Sequence, residues 1–283
     1  MNNHPRILIC LVNFNSIEDS VLFLENFSNF PNQENTTLIF HDNDSKICTS
    51  ENKKIFQEAA KRLNLNINIL FSSCAQNLGY LGGFRYALTH DDIAVEDYDF
   101  ICLSNPDIEF DSNKLSTSLA PKKSDTYAII APRIVSKLSS HEQNPYLSKK
   151  PPRIKVIFFS ILFKSSLATG IYRLLMSKVR KSLSTGRIRA TSTSPRDIYA
   201  GHGSFVIFTR TFFSRKVSLS MSNFLFCEEN YLGHKVQESK LKTLYAPDIE
   251  VMHREHSSTK IFPSKTICTH LADAHATAAK QYY

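Results

Sequence analysis

Three stretches of this 283-residue chain put carboxylates and an imidazole where they could do chemistry. The first is Asp99–Phe110, DFICLSNPDIEF. Its apolar run Phe100–Leu103 predicts a buried strand, which Ser104-Asn105-Pro106-Asp107 ends abruptly. In an open α/β sheet, ligands bind just beyond the carboxyl ends of the strands. Asp107, preceded by a proline of fixed φ, is therefore placed to hold a hard divalent cation such as magnesium or manganese. The same residues also suit a plain turn. The second stretch is FLFCEEN, where Glu228 and Glu229 follow an aromatic run. Adjacent acids there stabilise a helix N-terminus, or they supply a general base and a positioning group, the pairing pushing one pKa upward. The third is His253, which ends the apolar run Ile249–His253; neutral imidazole at a strand end can ligate a metal.

Glycine marks two more sites. Five of the eight glycines fall in two clusters, Gly79/Gly82/Gly83 and Gly201/Gly203, which suggests special backbone geometry or close approach to a ligand. Asn77-Leu-Gly79-Tyr-Leu-Gly-Gly follows an expected strand and opens an expected helix, where free N–H groups favour anions. Its spacing is not the dinucleotide fingerprint, so a nicotinamide enzyme has weak support. His41-Asp42-Asn43-Asp44-Ser45 ends another strand. Its side chains could read a base edge or a ribose hydroxyl, or they could form an Asx turn capping the next helix.

The elements that must carry these residues alternate. Strands are expected at 6–12, 37–40, 67–71, 100–103 and 127–131, with helices at 17–27, 50–63 and 80–90. That rhythm predicts an α/β fold with a mostly parallel sheet. It breaks from about Ser136 to Pro195 and resumes at Tyr199 with YAGHGSFVIF, a glycine turn and then a strand. A helix start near 224–232, strands at 243–246 and 249–253, and a helical tail from Ser264 complete the pattern. The organisation expected is a first half at 1–135, a basic amphipathic insert at 136–197, a second half of the same domain at 198–260, and a C-terminal helix at 261–283.

Charge isolates the insert. From Gln143 to Arg196 there is no Asp or Glu, yet this stretch carries 12 of the 34 Lys and Arg, leaving 22 against 26 acids elsewhere. The net charge of +8 thus belongs to one segment. Phe158, Phe159, Ile161, Leu162, Phe163, Leu174 and Leu175 lie among those cations, a mixture that suits an anionic membrane surface. It is more aliphatic than phosphate tracking needs, and no RNA- or DNA-binding motif accompanies it, so no nucleic-acid partner is expected. No uncharged run of 18 apolar residues occurs, so no spanning helix is expected. The N-terminal run is expected to be a strand rather than a signal peptide. Six scattered cysteines without CxxC pairs fit reduced thiols in a cytosolic protein.

Taken in order, LVNFNS (11–16), HDNDS (41–45), NLGYLGG (77–83), LSNPD (103–107), GHGSFVIFTR (201–210), FLFCEEN (224–230) and APDIEVMH (246–253) resemble the family 2 glycosyltransferases of the GT-A fold. The likeness is to the bacterial rhamnosyltransferase-like and galactofuranosyltransferase-like branch, and it covers about residues 6–130 and 198–258. It implies a GT-A, Rossmann-like mixed sheet flanked by helices. It also implies an inverting transfer of a sugar from a dTDP- or UDP-linked donor to a hydroxyl of a glycan or lipid-linked glycan, in cell-surface polysaccharide synthesis. By position, Asn13, Asp42 and Asn43 would line the nucleotide pocket, with Asn77, Gly79 and Asn105 beside the donor. Asp107 would keep the carboxylate of the Asp-x-Asp metal motif, here Asn105-Pro106-Asp107, and His253 would complete a Mn2+ or Mg2+ site. Glu229 would be the base, with Glu228 beside it. The implied location is the cytoplasmic face of the bacterial membrane, as a peripheral enzyme. The alternative is a catalytically silent nucleotide-sugar-binding protein that acts as an assembly partner. A sugar nucleotidyltransferase is disfavoured because the glycine- and lysine-rich N-terminal loop is missing.

Overall fold

The computed structural model describes residues 4–30, 33–46, 49–90, 93–184, 194–255 and 262–283. Along the chain run β1 (Ile7–Asn13), α1 (Ile17–Phe23), β2 (Thr36–Asn43), α2 (Thr49–Arg62), β3 (Asn68–Cys74), α3 (Tyr80–His90), β4 (Phe100–Ser104), β5 (Ile108–Phe110), α4 (Ser112–Leu119) and β6 (Tyr127–Ser136). There follow α5 (Arg153–Leu162), α6 (Ser166–Ser184), β7 (Arg196–Ile198), β8 (Phe205–Thr209), α7 (Arg210–Ser214), α8 (Glu228–Glu238), β9 (Lys242–His253) and α9 (Lys265–Gln281). The strands form one mixed sheet in the order β3-β2-β1-β4-β8-β6-β9-β5, with β7 added on β9.

The sheet is parallel across β3, β2, β1 and β4. β8 then enters antiparallel to both β4 and β6. β1 has parallel partners on both sides and is buried along its whole length, which is why ILICLVN reads as a continuous apolar run. Successive side chains of a strand still point to opposite faces. Ile7, Ile9 and Leu11 pack with Phe23, Phe40 and Phe56 under α1 and α2. Leu8, Cys10 and Val12 pack with Phe84, Phe208 and Phe212 on the face that also holds α3, α8 and α9. The result is a three-layer α/β arrangement. α2 shows the sequence logic directly: Asn52, Phe56, Ala59 and Ala60 are its buried stripe, at the spacing of one helix face.

Several elements differ from the sequence expectation. The helix expected over 17–27 is α-helical only to Phe23 and ends in a 3-10 turn, Leu24–Phe27. The two strands expected at 243–246 and 249–253 are one strand, β9, whose register against β6 shifts between Pro132 and Arg133. Pro247 lies in that bulge, where a missing N–H is tolerated. The helix expected near Phe224 starts at Glu228, because Phe226 and Cys227 have φ of 70° and 63°. The short β5, α4, β7 and α7 had no clear periodicity to announce them. Within the stretch expected as a basic insert, α5 and α6 are helical and β7 begins at Arg196, while residues 185–193 lie outside the described residues. One face of α5 docks on α9: Phe159 and Phe163 stack on each other at 5.4 Å and both meet the edge of His275. Arg153 Nε also donates to Ala279 O at 3.0 Å.

Candidate active site

The cation candidates come together through β5. After β4 the chain turns at Asn105, whose N–H bonds to Ser204 O at 2.9 Å and so ties the turn to the start of β8. β5 then pairs antiparallel with the end of β9, with Ile108 opposite His253. Arg254 N–H closes the turn on Asp107 O at 2.9 Å. This register places Asp107 Oδ2 3.2 Å from His253 Nε2, with side chains 17% and 9% exposed. One oxygen and one nitrogen donor thus face each other in a nearly closed setting. Among the described residues no group of three or more His, Cys, Asp or Glu forms a complete metal cage. A carboxylate oxygen and an imidazole nitrogen are two donors that a divalent cation can accept, its other ligands then coming from outside this pair.

The acid pair sits at the first turn of α8. Two consecutive non-glycine residues in the left-handed region, Phe226 and Cys227, are uncommon and costly. They let the chain double back so that Glu228 Oε1 accepts from Phe226 N–H at 3.0 Å. Glu229 Oε1 accepts from Gly203 N–H at 3.2 Å. Burial pushes the Glu228 carboxyl from 4.5 up to about 7, and the negative charge of Glu229 adds to the rise. Burial also pushes Glu229 up, against its hydrogen bonds from backbone N–H. The loop before α8 is packed against the start of α3. At Gly79, φ is +75° and an added Cβ would lie 1.8 Å from Phe224 O, so no other residue fits there without moving the loop.

Residues 201–204 link the two sets. Gly203 holds Glu229, and the His202 ring lies 5.8 Å from that of His253. Ser204 N–H donates to His202 Nδ1 at 3.2 Å. Burial, with the neighbouring His253 as second cause, lowers the His202 pKa to about 4, so this ring is neutral near pH 7. Tyr80 donates to Ser204 O at 3.4 Å. Its phenol is pushed well above its ordinary range by burial first, then by Cys10, Asp107, Glu228 and Glu229. One buried hydroxyl therefore feels both the cation candidate and the acid pair. Sequence reasoning missed His202 and Tyr80 as site residues, although both lie inside motifs it had singled out.

The residues expected around the nucleotide are engaged with one another. Asn13 and Asp42 are neighbours in the β1–β2 register. Asn13 Nδ2 donates to Asp42 Oδ1 at 3.1 Å and to Ser45 Oγ at 3.0 Å, while Asn52 Nδ2 donates to Asp42 Oδ2 at 3.3 Å. Asn43 Nδ2 donates to Asn77 Oδ1 and to Gly79 O, both at 3.0 Å, and Asn43 Oδ1 accepts from Leu78 N–H at 3.0 Å. Asn13, Asp42 and Asn43 are buried, and Asn105 is partly exposed beside Asp107. The two networks tie together the ends of β1 and β2 and the loop that follows β3. Ser45 and Asn52 are members that the sequence reading did not name.

The chain matches no protein-family model and no curated protein. Solved structures do resemble it. GalNAc-T7 with UDP, GalNAc and Mn2+ superposes with a TM-score of 0.55 at 13% identity, over 99% of this chain and 48% of that one. Mannosyltransferase PcManGT from Pyrobaculum calidifontis, in complex with GDP-Man and Mn2+, gives 0.55 at 11% identity, over 99% of this chain and 74% of that one. The fold is that of the GT-A glycosyltransferases. The chain spans about half the length of the GalNAc-T7 chain, 48%. At these identities the likeness establishes the architecture, and the chemistry has to be argued from the site.

Proposed function

We propose that this chain is an inverting, divalent-cation-dependent glycosyltransferase that takes its sugar from a nucleotide-diphosphate donor. The observation that carries the reading is the convergence of Asp107/His253 and Glu228/Glu229 on residues 201–204 at one sheet edge. Asp107 and His253 are the residues that would hold Mn2+ or Mg2+. Bound there, the ion would supply positive charge against the leaving diphosphate. The acid pair takes the proton of the acceptor hydroxyl. Glu229 is the base in this reading, its carboxylate held by Gly203 N–H at the segment that also carries His202. Glu228 then positions the loop through its bond to Phe226 N–H. A carboxylate that takes the proton of the acceptor hydroxyl directly supports single displacement with inversion, through a transition state of oxocarbenium character. The networks of Asn13, Asp42, Asn43 and Asn77, with Gly79 and Asn105, support a preformed donor edge.

The finer reading keeps the family 2, rhamnosyltransferase-like or galactofuranosyltransferase-like branch, with a dTDP- or UDP-linked donor and a glycan or lipid-linked acceptor. Support for a membrane-borne acceptor comes from α5 and α6. Ile154, Ile161 and Leu167 are 71%, 63% and 64% exposed, and Phe158, Ile171, Leu174 and Leu175 are exposed as well. Arg153, Lys155 and Lys164 stand among them. No helix among the described residues is long and apolar enough to cross a membrane. Large exposed apolar side chains interleaved with cations suit a peripheral contact with anionic lipid.

The test is to incubate the purified chain with UDP-, dTDP- and GDP-linked sugars and Mn2+, and to follow release of the nucleoside diphosphate. Release that needs the cation and is lost in Glu229→Gln is the expected result. Nucleotide-sugar binding without turnover, in every combination, would leave only a binding protein.

A further inference from the structure

Gln143 belongs to none of the motifs, yet its side chain meets the ring nitrogen of His253 that points away from Asp107. The chain leaves β6 at Ser136 and turns back on itself. Ser136 N–H bonds to His141 O at 3.0 Å, and Gln143 N–H returns to Ile134 O at 2.8 Å. Ser136 lies beside His253 in the β6–β9 register, so the Gln143 side chain reaches the imidazole. Its Oε1 is 2.8 Å from His253 Nδ1, and its Nε2 donates to Glu255 Oε1 at 2.6 Å. Ser136 Oγ donates to the other oxygen of Glu255.

A primary amide has one accepting end and one donating end, while an ionised carboxylate only accepts. Glu255 therefore takes the NH2 end and leaves the oxygen toward His253. That oxygen can only accept, so Nδ1 carries a proton. The nitrogen facing Asp107 at 3.2 Å is then the one able to present a lone pair. Without this amide the other neutral tautomer is favoured, with Nε2–H donating to the Asp107 carboxylate. In that form, as in the doubly protonated ring, the nitrogen is closed to a metal, so the choice that matters is the one between the two neutral rings. Hydrogen bonds to the far nitrogen of a ligating histidine commonly set its tautomer in this way.

We infer that Gln143, oriented by Glu255, is a positioning residue that holds His253 in its Nδ1–H form and keeps Nε2 open to a divalent cation shared with Asp107. The inference rests on the cation-site reading above and is independent of which sugar is transferred. It is tested on the full chain in two ways. Long-range 1H–15N spectra of the metal-free protein, with His253 assigned through a His253→Gln variant, should show Nδ1 protonated. Gln143→Met, similar in length and without the amide, should move the proton to Nε2. Mn2+ titration followed by the paramagnetic resonance of the free ion should show binding about 10–100-fold weaker in Gln143→Met. The exchanged pair Gln143→Glu with Glu255→Gln keeps an acceptor on Nδ1 and a donor between the two side chains, and should recover most of that loss. A bare Nδ1 in the wild-type protein overturns the inference without reference to any variant. Mn2+ binding that is indifferent to Gln143 overturns it alone. No Mn2+ binding by the wild-type chain, with Nδ1 protonated, overturns the cation-site reading and the inference with it.

Discussion

Replacing Glu228 with Gln should make the protein more stable above neutral pH while leaving it nearly unchanged at pH 4. The folded state holds this carboxyl at about 7 against an ordinary 4.5, chiefly through burial. A raised pKa in an acid means that folding disfavours the charged form. The group's favourable contribution is complete below about 4.5 and is lost as pH rises through about 7. Integrated across that window, the loss is roughly 3 kcal/mol at pH 8, a large share of the 5–15 kcal/mol that about describes a folded domain. Gln keeps the carbonyl oxygen that accepts from Phe226 N–H and removes the ionisation, so Glu228→Gln should flatten this part of the profile. The assay is urea unfolding at several pH values between 4 and 9, read at constant m-value. Wild type should lose midpoint across the window, and the variant should lose clearly less. Because Glu229 is buried too, the double Gln variant should flatten the profile further. An identical pH slope in wild type and Glu228→Gln would refute the reasoning, since it would mean the pair is as well solvated folded as unfolded.

Glu229→Gln should lower turnover by about 10²–10⁴-fold with little change in donor affinity, measured by initial rates and by equilibrium binding; full activity in this variant with a dead Glu228→Gln would exchange the two roles. Asp107→Asn should abolish Mn2+ binding, followed by titration of the free ion, and unaltered binding would remove the carboxylate from the site. Gly79→Ala should destabilise the fold by more than about 2 kcal/mol, because it adds left-handed strain to a clash with Phe224 O; urea unfolding with a wild-type midpoint would show that the loop gives way freely. The chain should sediment with anionic vesicles at low salt and be released at high salt, each engaged cation contributing about 1 kcal/mol, and Ile161→Asp should weaken sedimentation at low salt. Equal pelleting with neutral vesicles would remove the electrostatic half of that expectation.

How much of this was legible in the chain depends on the range of the interaction that decides each feature. β1 and β4 are announced by short continuous apolar runs because both faces of a central strand are buried, and the places of Asn13 at the end of β1 and of Asp107 in the turn beyond β4 follow from that. That Asp107 and His253 are near neighbours was readable only as two strand ends at one edge. What brings them to 3.2 Å is β5, three residues long and without any periodicity to recognise. The start of α8 was misplaced by four residues because nothing in Phe226 or Cys227 signals a positive φ; the loop that carries them meets Gly79 through Phe224, a contact far away in sequence. Gln143 was invisible for a different reason. It lies 110 residues from His253 in a stretch set apart on charge, and its importance is purely a matter of which atom an amide presents.

That contrast explains why the candidate site is distributed as it is. The donor edge is built from strand ends whose positions follow from burial, so motif order preserves it. The acid pair and the cation pair are joined through residues 201–204, where one short segment hydrogen-bonds to the turn after β4, to Tyr80 and to Glu229. Gly201 and Gly203 are both close-approach positions: an added Cβ would come within 2.6 Å of Ala131 Cβ at the first and 3.1 Å of Glu229 Oε1 at the second. The first contact is with a rigid core methyl and cannot be relieved cheaply. The second is with the end of a side chain and would be relieved by moving the proposed base. The same substitution to Ala therefore separates two roles. At Gly201 it perturbs the packing of the sheet, and at Gly203 it perturbs the placement of a carboxylate within a fold that can otherwise stand.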